Sequence, residues 1–139
     1  MPYMPTALPA PNPTMDERPF WENCAKQRLT FQRCADCGHY RHPPTPVCGK
    51  CRSTRSDWGD APEVGEVFTY TVVHHPSHEA VKPVLPYNIA VVAFPELNGV
   101  RLVSNVIDVG PNDMQVGMKV RLVWEEHTAG VFLPRFRRA

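Results

Sequence analysis

Two cysteine pairs, Cys34-Ala-Asp-Cys37 and Cys48-Gly-Lys-Cys51, stand ten residues apart in a chain of 139. A tetrahedral Zn²⁺ takes four thiolates at about 2.3 Å, and two C-x-x-C turns supply two ligands each at that reach. Gly38 follows the second cysteine directly, where a metal knuckle needs a backbone free to take positive φ. Gly49 gives similar freedom inside the second pair. The short spacing suits a zinc ribbon or rubredoxin-like pair of knuckles, so Cys34, Cys37, Cys48 and Cys51 are the expected metal ligands. Four thiolates close the metal's shell and leave no position for water, which makes the expected Zn²⁺ structural. Iron shares this geometry, and the spacing alone does not separate the two.

The chain opens Met1-Pro-Tyr-Met-Pro, without the basic and apolar regions of a secretory signal. A reducing, cytoplasmic setting is therefore expected, in which paired cysteines bind metal sooner than they form disulfides. No apolar run approaches the roughly 20 residues that cross a bilayer. Cys24, the fifth cysteine, reads as a buried helix thiol. His39 and His42 lie between the knuckles, but four cysteines already suffice. His74, His75 and His78 crowd one later segment with Glu79 as the only adjacent acid, which reads as a polar loop at an interface. The chain carries no G-x-S-x-G, Walker or Rossmann glycine motif, and no nucleophile beside a base. No catalytic residue is expected.

Net charge is only +1, which argues against a general nucleic-acid binder. The distribution is uneven. From Lys26 to Arg55 seven basic residues face one acid, Asp36, whereas Asp57, Asp60, Glu63 and Glu66 follow in a cluster. The basic segment suits phosphates or an acidic partner as well as plain solvation.

The elements that must position these residues fall into three stretches, expected at 1–28, 29–58 and 59–139. Residues 1–14 hold five of the sixteen prolines and should stay extended, lying on a partner or moving freely. A helix is expected over 16–27, with Pro19 in its first turn and Phe20, Trp21 and Cys24 on one apolar side. A short strand over 29–32 leads into the first knuckle, and the prolines of 42–46 make a rigid crossing between the pairs. Beyond Gly59 the pattern alternates with period two, giving strands at 66–74, 88–94, 100–107, 119–125 and 131–136. Asn98-Gly99 marks a tight hairpin turn between the second and third of these. The insert 75–87 reads as a functional loop. Five short strands without a second helical layer predict a mainly β protein: an N-terminal helix, a zinc ribbon, then a five-stranded OB-fold barrel. A split β-sandwich is the alternative.

The order of parts carries a resemblance. Pro19-Phe20-Trp21 and Leu29-Thr-Phe-Gln-Arg-Cys34-Ala-Asp-Cys37-Gly38 are joined by Pro43-Pro44, Val47-Cys48-Gly-Lys-Cys51 and Trp58. In the barrel follow Gly65-Glu-Val-Phe-Thr-Tyr70, Pro86-Tyr87-Asn-Ile-Ala90, Gly99-Val-Arg101-Leu and Val116-Gly117-Met-Lys-Val120. Together they resemble the acyl-CoA-associated zinc-ribbon/OB-fold family known as domain of unknown function 35. The likeness runs from about residue 15 to Phe136, with one departure at Gly49, where the family often has proline. It implies a small non-catalytic subunit, inactive alone, that works with a thiolase-like, aldolase or condensing enzyme on acyl-CoA. A MaoC-type hydratase partner and steroid side-chain breakdown are further implications. Binding CoA asks for cations near its phosphates, which Arg41, Lys50, Arg52 and Arg55 are placed to offer, with Tyr87 walling the pantetheine arm. Phe20, Trp21, Phe132 and Phe136 are the candidate partner anchors. The competing reading is a single-strand nucleic-acid module, which both zinc ribbons and OB-folds can form. The barrel offers it few cations, chiefly Arg101, Lys119 and Arg121. A third reading, an iron-bearing electron carrier, leaves the barrel without a purpose.

Overall fold

The computed structural model describes residues 2–139. Helix α1 (Arg18–Ala25) is shorter than expected at both ends. Pro19 sets its start, and Gln27 at φ 56° ends it by turning the chain left-handed. Arg28 N–H then closes the end on Asn23 O at 2.9 Å. Phe20 and Cys24 point inward from α1, and Trp21 stays half-buried.

The ribbon is a three-stranded antiparallel sheet, β2 (Tyr40–Arg41), β1 (Thr30–Cys34) and β3 (Ser56–Asp60) in that order. Because β3 pairs through Thr30↔Asp60, the ribbon sheet ends at Asp60, past the boundary expected at 58. The barrel follows as β4 (Val64–Val73), β5 (Tyr87–Phe94), β6 (Val100–Ser104), β7 (Lys119–Thr128) and β8 (Val131–Arg138). Its order is β6-β5-β4-β7-β8, with every neighbouring pair antiparallel. A short parallel contact, Val106↔Phe136, brings the chain after β6 back to β8 and curls the sheet into an OB-fold barrel. There Ile107 N–H donates to Phe136 O at 2.8 Å and Phe136 N–H to Asn105 O at 3.1 Å.

The three stretches expected at 1–28, 29–58 and 59–139 share one interior. Phe31 of the ribbon, fully buried, meets Phe94 of the barrel at 5.4 Å between ring centres, and Phe94 meets Phe136 at 6.2 Å. Phe20 and Cys24 of α1 belong to the same cluster. Each such ring contributes about 2–3 kcal/mol by leaving water, so helix and ribbon are fastened to the barrel by its own core residues.

Residues 2–13 depart from the expectation of a mobile or partner-bound arm: they lie on the barrel. Met4 packs against Val81 and Tyr87 in a second, smaller cluster. Tyr3 N–H donates to Glu125 Oε2 at 2.6 Å, and the Asn88 backbone and side-chain N–H groups both donate to the Tyr3 hydroxyl at 3.2 Å. The segment after β4 holds a short 3-10 turn (Glu79–Val84), whose start His78 Nδ1 caps by accepting from Ala80 N–H at 3.0 Å. Among the described residues no helix is long and apolar enough to cross a membrane.

Candidate metal centre and adjoining clefts

Cys34 ends β1, and Cys37 follows one turn later, where Gly38 takes φ 78° and its N–H returns to Cys34 O at 2.9 Å. The second knuckle repeats this, with Arg52 N–H on Cys48 O at 2.9 Å and positive φ at Arg52, one residue past Cys51. The two turns face each other. Cys34 Sγ lies 3.5 Å from Cys51 Sγ, and Cys37 Sγ lies 3.7 Å from Cys48 Sγ. All four sulfurs sit within 4.8 Å of one another. Four thiolates around Zn²⁺ at about 2.3 Å stand roughly 3.8 Å apart, so the cluster fits a tetrahedral ion. Backbone amides favour the thiolate at Cys34 and Cys48, whereas at Cys51 the Ser53 amide is outweighed by the neighbouring sulfurs and burial, which push that thiol up. Cys37 N–H reaches Cys34 Sγ at 3.4 Å and lowers that thiol to about 6. Cys48 is lowered likewise by the amides of Cys51 and Lys50. His39 and His42 stand outside the sulfur cluster. Burial pushes the Cys24 thiol up to about 12, consistent with an inert core residue.

The expected cation set does not converge. Lys50, Arg52 and Arg55 are exposed around the second knuckle, and Arg55 pairs with Asp36 at 2.9 Å. Only Arg41 faces a cleft, of about 350 Å³, between the ribbon and the β5–β6 turn. Arg101 and His39 share that cleft, and neither was singled out for it from sequence. Their signal was faint, since β6 simply alternates inward and outward residues and Arg101 is one of the outward ones. Tyr87 is buried under the arm beside Met4, away from Arg41, and lines a different groove of about 450 Å³.

The aromatic anchors divide. Phe20 and Phe136, at 3% and 0% exposure, belong to the protein's own core and cannot dock outward: α1 and the barrel seam use them to close the interior. Trp21 and Phe132 remain half-buried and meet in a small apolar recess with Pro11 and Pro13. Trp21 also borders an apolar groove of about 490 Å³ between α1, the ribbon prolines and the open edges of β6 and β8. At the end of this groove Arg135 forms a nearly buried ion pair with Glu125 at 3.3 Å and donates to Asn105 Oδ1 at 2.6 Å. Two of the cations on the barrel strands are paired with acids, Lys119 with Glu66 at 2.7 Å and Arg121 with Glu63 at 3.1 Å. They do not form the basic groove that a single-strand binder uses.

With this geometry in view, two family models match the chain. The ChsH2 rubredoxin-like zinc ribbon domain covers residues 21–57, and the ChsH2 C-terminal OB-fold domain covers residues 58–125. A probable enoyl-CoA hydratase alpha subunit of Thermomonospora curvata is 42% identical over 93% of this chain. The chain spans about two-fifths of that relative, 40% of its length. A DUF35 domain-containing scaffold protein of Methanocaldococcus jannaschii is 34% identical over 66% of this chain and 64% of its own. Among solved structures, a chain described as "Ltp2-ChsH2(DUF35) aldolase" superimposes with a TM-score of 0.83 at 39% identity, covering 92% of this chain and 98% of that one. A DUF35 protein of unknown function from Sulfolobus solfataricus shares the fold at 20% identity and a TM-score of 0.63. The ribbon, the barrel and the cysteine cluster are those of the ChsH2-type zinc-ribbon/OB-fold proteins, and this chain belongs to that family, the DUF35 family.

Proposed function

We propose that this chain is a non-catalytic accessory subunit of a thiolase-superfamily complex, a sterol-carrier-type thiolase or aldolase acting on acyl-CoA. It helps assemble the complex and hold the acyl-CoA, and steroid side-chain degradation is the pathway class we favour. The observation that carries this reading is the likeness, over almost the whole of both chains, to the chain of the Ltp2-ChsH2(DUF35) aldolase. The scaffold-protein name of the archaeal relative points the same way. The hydratase name of the actinobacterial relative adds a MaoC-type hydratase as a further candidate partner. Cys34, Cys37, Cys48 and Cys51 are assigned as ligands of a structural Zn²⁺, whose service is to hold the two knuckles together. Trp21 and Phe132 are the surface aromatics best suited to anchor a partner.

Affinity purification from the native host, with mass spectrometry and metal analysis on the same sample, tests this. A thiolase-like or aldolase partner, about one zinc per chain, and acyl-CoA turnover by the pair but not by this chain alone are expected. Turnover by the isolated chain, or a zinc-bearing chain that retains oligonucleotide and no enzyme, overturns the reading. A red, absorbing preparation would reassign the metal to iron.

A further inference from the structure

Within the barrel, β5 and β6 are the second and third strands, flanked by the segment 74–86 and by the turn joining β7 to β8. OB-folds receive their ligands on the outer side of these two strands, between those two loops. In this protein the proline-rich arm, residues 2–13, lies there. Met4, Leu8, Pro9 and Pro11 wall one side of a groove of about 450 Å³ whose floor includes Ile89 and Val103. The arm adds no strand to the sheet and is held as a peptide ligand would be, by one face. Met4 is buried and Tyr3, Leu8 and Pro11 are half-buried, whereas Thr6, Ala7, Pro9 and Ala10 are exposed. Leu8 N–H closes a turn on Pro5 O at 3.1 Å, and Met4 and Leu8 reach the same apolar cluster around Val81 and Tyr87.

The barrel side of this contact keeps its shape through its own bonds. Asn88, which donates to the Tyr3 hydroxyl, is fixed from behind: its Nδ2 donates to Val106 O at 2.8 Å and its Oδ1 accepts from Val106 N–H at 2.9 Å. Glu125, which accepts from Tyr3 N–H, is held by Arg135 at 3.3 Å. His127, almost fully buried, donates from Nε2 to Leu8 O at 2.9 Å. A receptor surface set in advance wastes little binding energy on ordering itself. An exposed run, residues 12–16, joins the arm to α1, so attachment and recognition are separate. We infer that this face of the barrel is a peptide-binding site whose ligand is the proline-rich arm of this protein, taken in cis by the single chain and in trans from a second copy. The tether supplies the arm at a millimolar effective concentration, so cis docking prevails in dilute solution. Two chains that exchange arms make every contact twice, which favours the exchanged pair as concentration rises. The site is independent of the acyl-CoA reading.

The test uses zinc-loaded full chains and a fluorescently labelled peptide of residues 2–13, read by anisotropy. In the full chain carrying Tyr3→Ala and Met4→Ser the arm loses its anchors and the groove is free. The peptide should bind this variant at least about tenfold more tightly than the unaltered chain, whose tethered arm competes. A peptide with the same two substitutions should not bind either chain. Val81→Asp spoils the groove and leaves the arm intact, and Val81 lies outside the main core, so the fold should survive. Mixed above the peptide's dissociation constant, the Val81→Asp chain and the Tyr3→Ala/Met4→Ser chain should form a one-to-one complex in analytical ultracentrifugation, while each alone stays monomeric. Zinc content and melting temperature identify any variant that has lost its fold. Absence of peptide binding to the folded Tyr3→Ala/Met4→Ser chain, equal binding to the unaltered chain, or equal binding of the substituted peptide overturns the inference. Peptide binding without association of the two complementary chains overturns its second half, the exchange between copies.

Discussion

At the scale of single residues, the sulfur cluster was legible from the chain because a metal knuckle is a local object. Its ligands, its glycine and its amide–sulfur bonds all lie within a few residues of one another. The consequence for stability is less local. Cys34 closes the same strand that carries Phe31 into the barrel core, so metal and core are linked through β1. Cys34→Ser should therefore lose the zinc and also lower the cooperative melting temperature of the barrel, read by metal analysis and near-ultraviolet circular dichroism. A barrel transition that does not move would show the ribbon to be energetically separate. His42 is the second case. It lies against the rings of Phe20 and Phe31, at 5.0 and 5.3 Å, and burial depresses its pKa to about 4. An unfolded histidine titrates near 6.5, so below that pH the unfolded chain binds a proton that the folded one refuses. Stability should fall as pH drops from about 6.5 towards 4, and His42→Phe should flatten that slope in urea titrations made with zinc retained. An equally steep slope in the variant would locate the acid sensitivity elsewhere. The residues that line the cleft between the ribbon and the β5–β6 turn were not legible in this way. Arg41 looks like Lys50, Arg52 and Arg55 until the fold shows which cation shares a cleft with another.

At the scale of elements, alternation foretold the barrel strands well because each has one wet and one dry face. β7 and β8 run on to Thr128 and Arg138, beyond the expected ends, since a pairing strand needs only backbone there and tolerates charged outward residues such as Arg137 and Arg138. β2 and β3 carry no such signal. Ser56-Asp-Trp-Gly-Asp60 becomes a strand through partners some 25 residues earlier in the chain, a distance no periodicity reveals. The β5–β6 turn was foretold at Asn98-Gly99, and both residues take positive φ, 47° and 76°. What the pattern did not reveal is that the Asn98 side chain also clamps the ribbon through Tyr40. The two roles separate experimentally. Asn98→Gly keeps the turn and loses the clamp, which should cost about 1 kcal/mol for two exposed hydrogen bonds. Asn98→Ala loses both, adding about 1 kcal/mol more for a β-carbon forced into the left-handed region. Equal losses in denaturant melts would mean that the clamp carries the whole effect.

At the scale of the whole molecule, the arm decides how much of the apolar face the free chain exposes. Read as sequence, residues 1–14 look extended, lying on a partner or moving freely, because proline content reports stiffness and says nothing about where a stiff segment rests. In the fold, Leu8 O accepts from His127 Nε2 at 2.9 Å, Tyr3 is tied to Asn88 and Glu125, and Met4 covers Val81 and Tyr87. These contacts are separate from the main core, which closes on Phe31, Phe94 and Phe136 without the arm. Deleting residues 2–11 should therefore leave the zinc and the barrel in place. Uncovering Met4's partners and the Tyr3 hydrogen bonds should cost about 2–3 kcal/mol, a fall of several degrees in melting temperature for a domain of this size. The trimmed chain should also bind an apolar dye more strongly, since Tyr87, Val81 and the half-buried Ile89 lose their cover. An unchanged melting temperature would mean that the arm does not hold this position in solution, and the groove beside Trp21 and Arg135 would then be open along its full length in the free protein. A fall without zinc loss would instead show that the arm stabilises the barrel as a cover, independently of the metal knuckles.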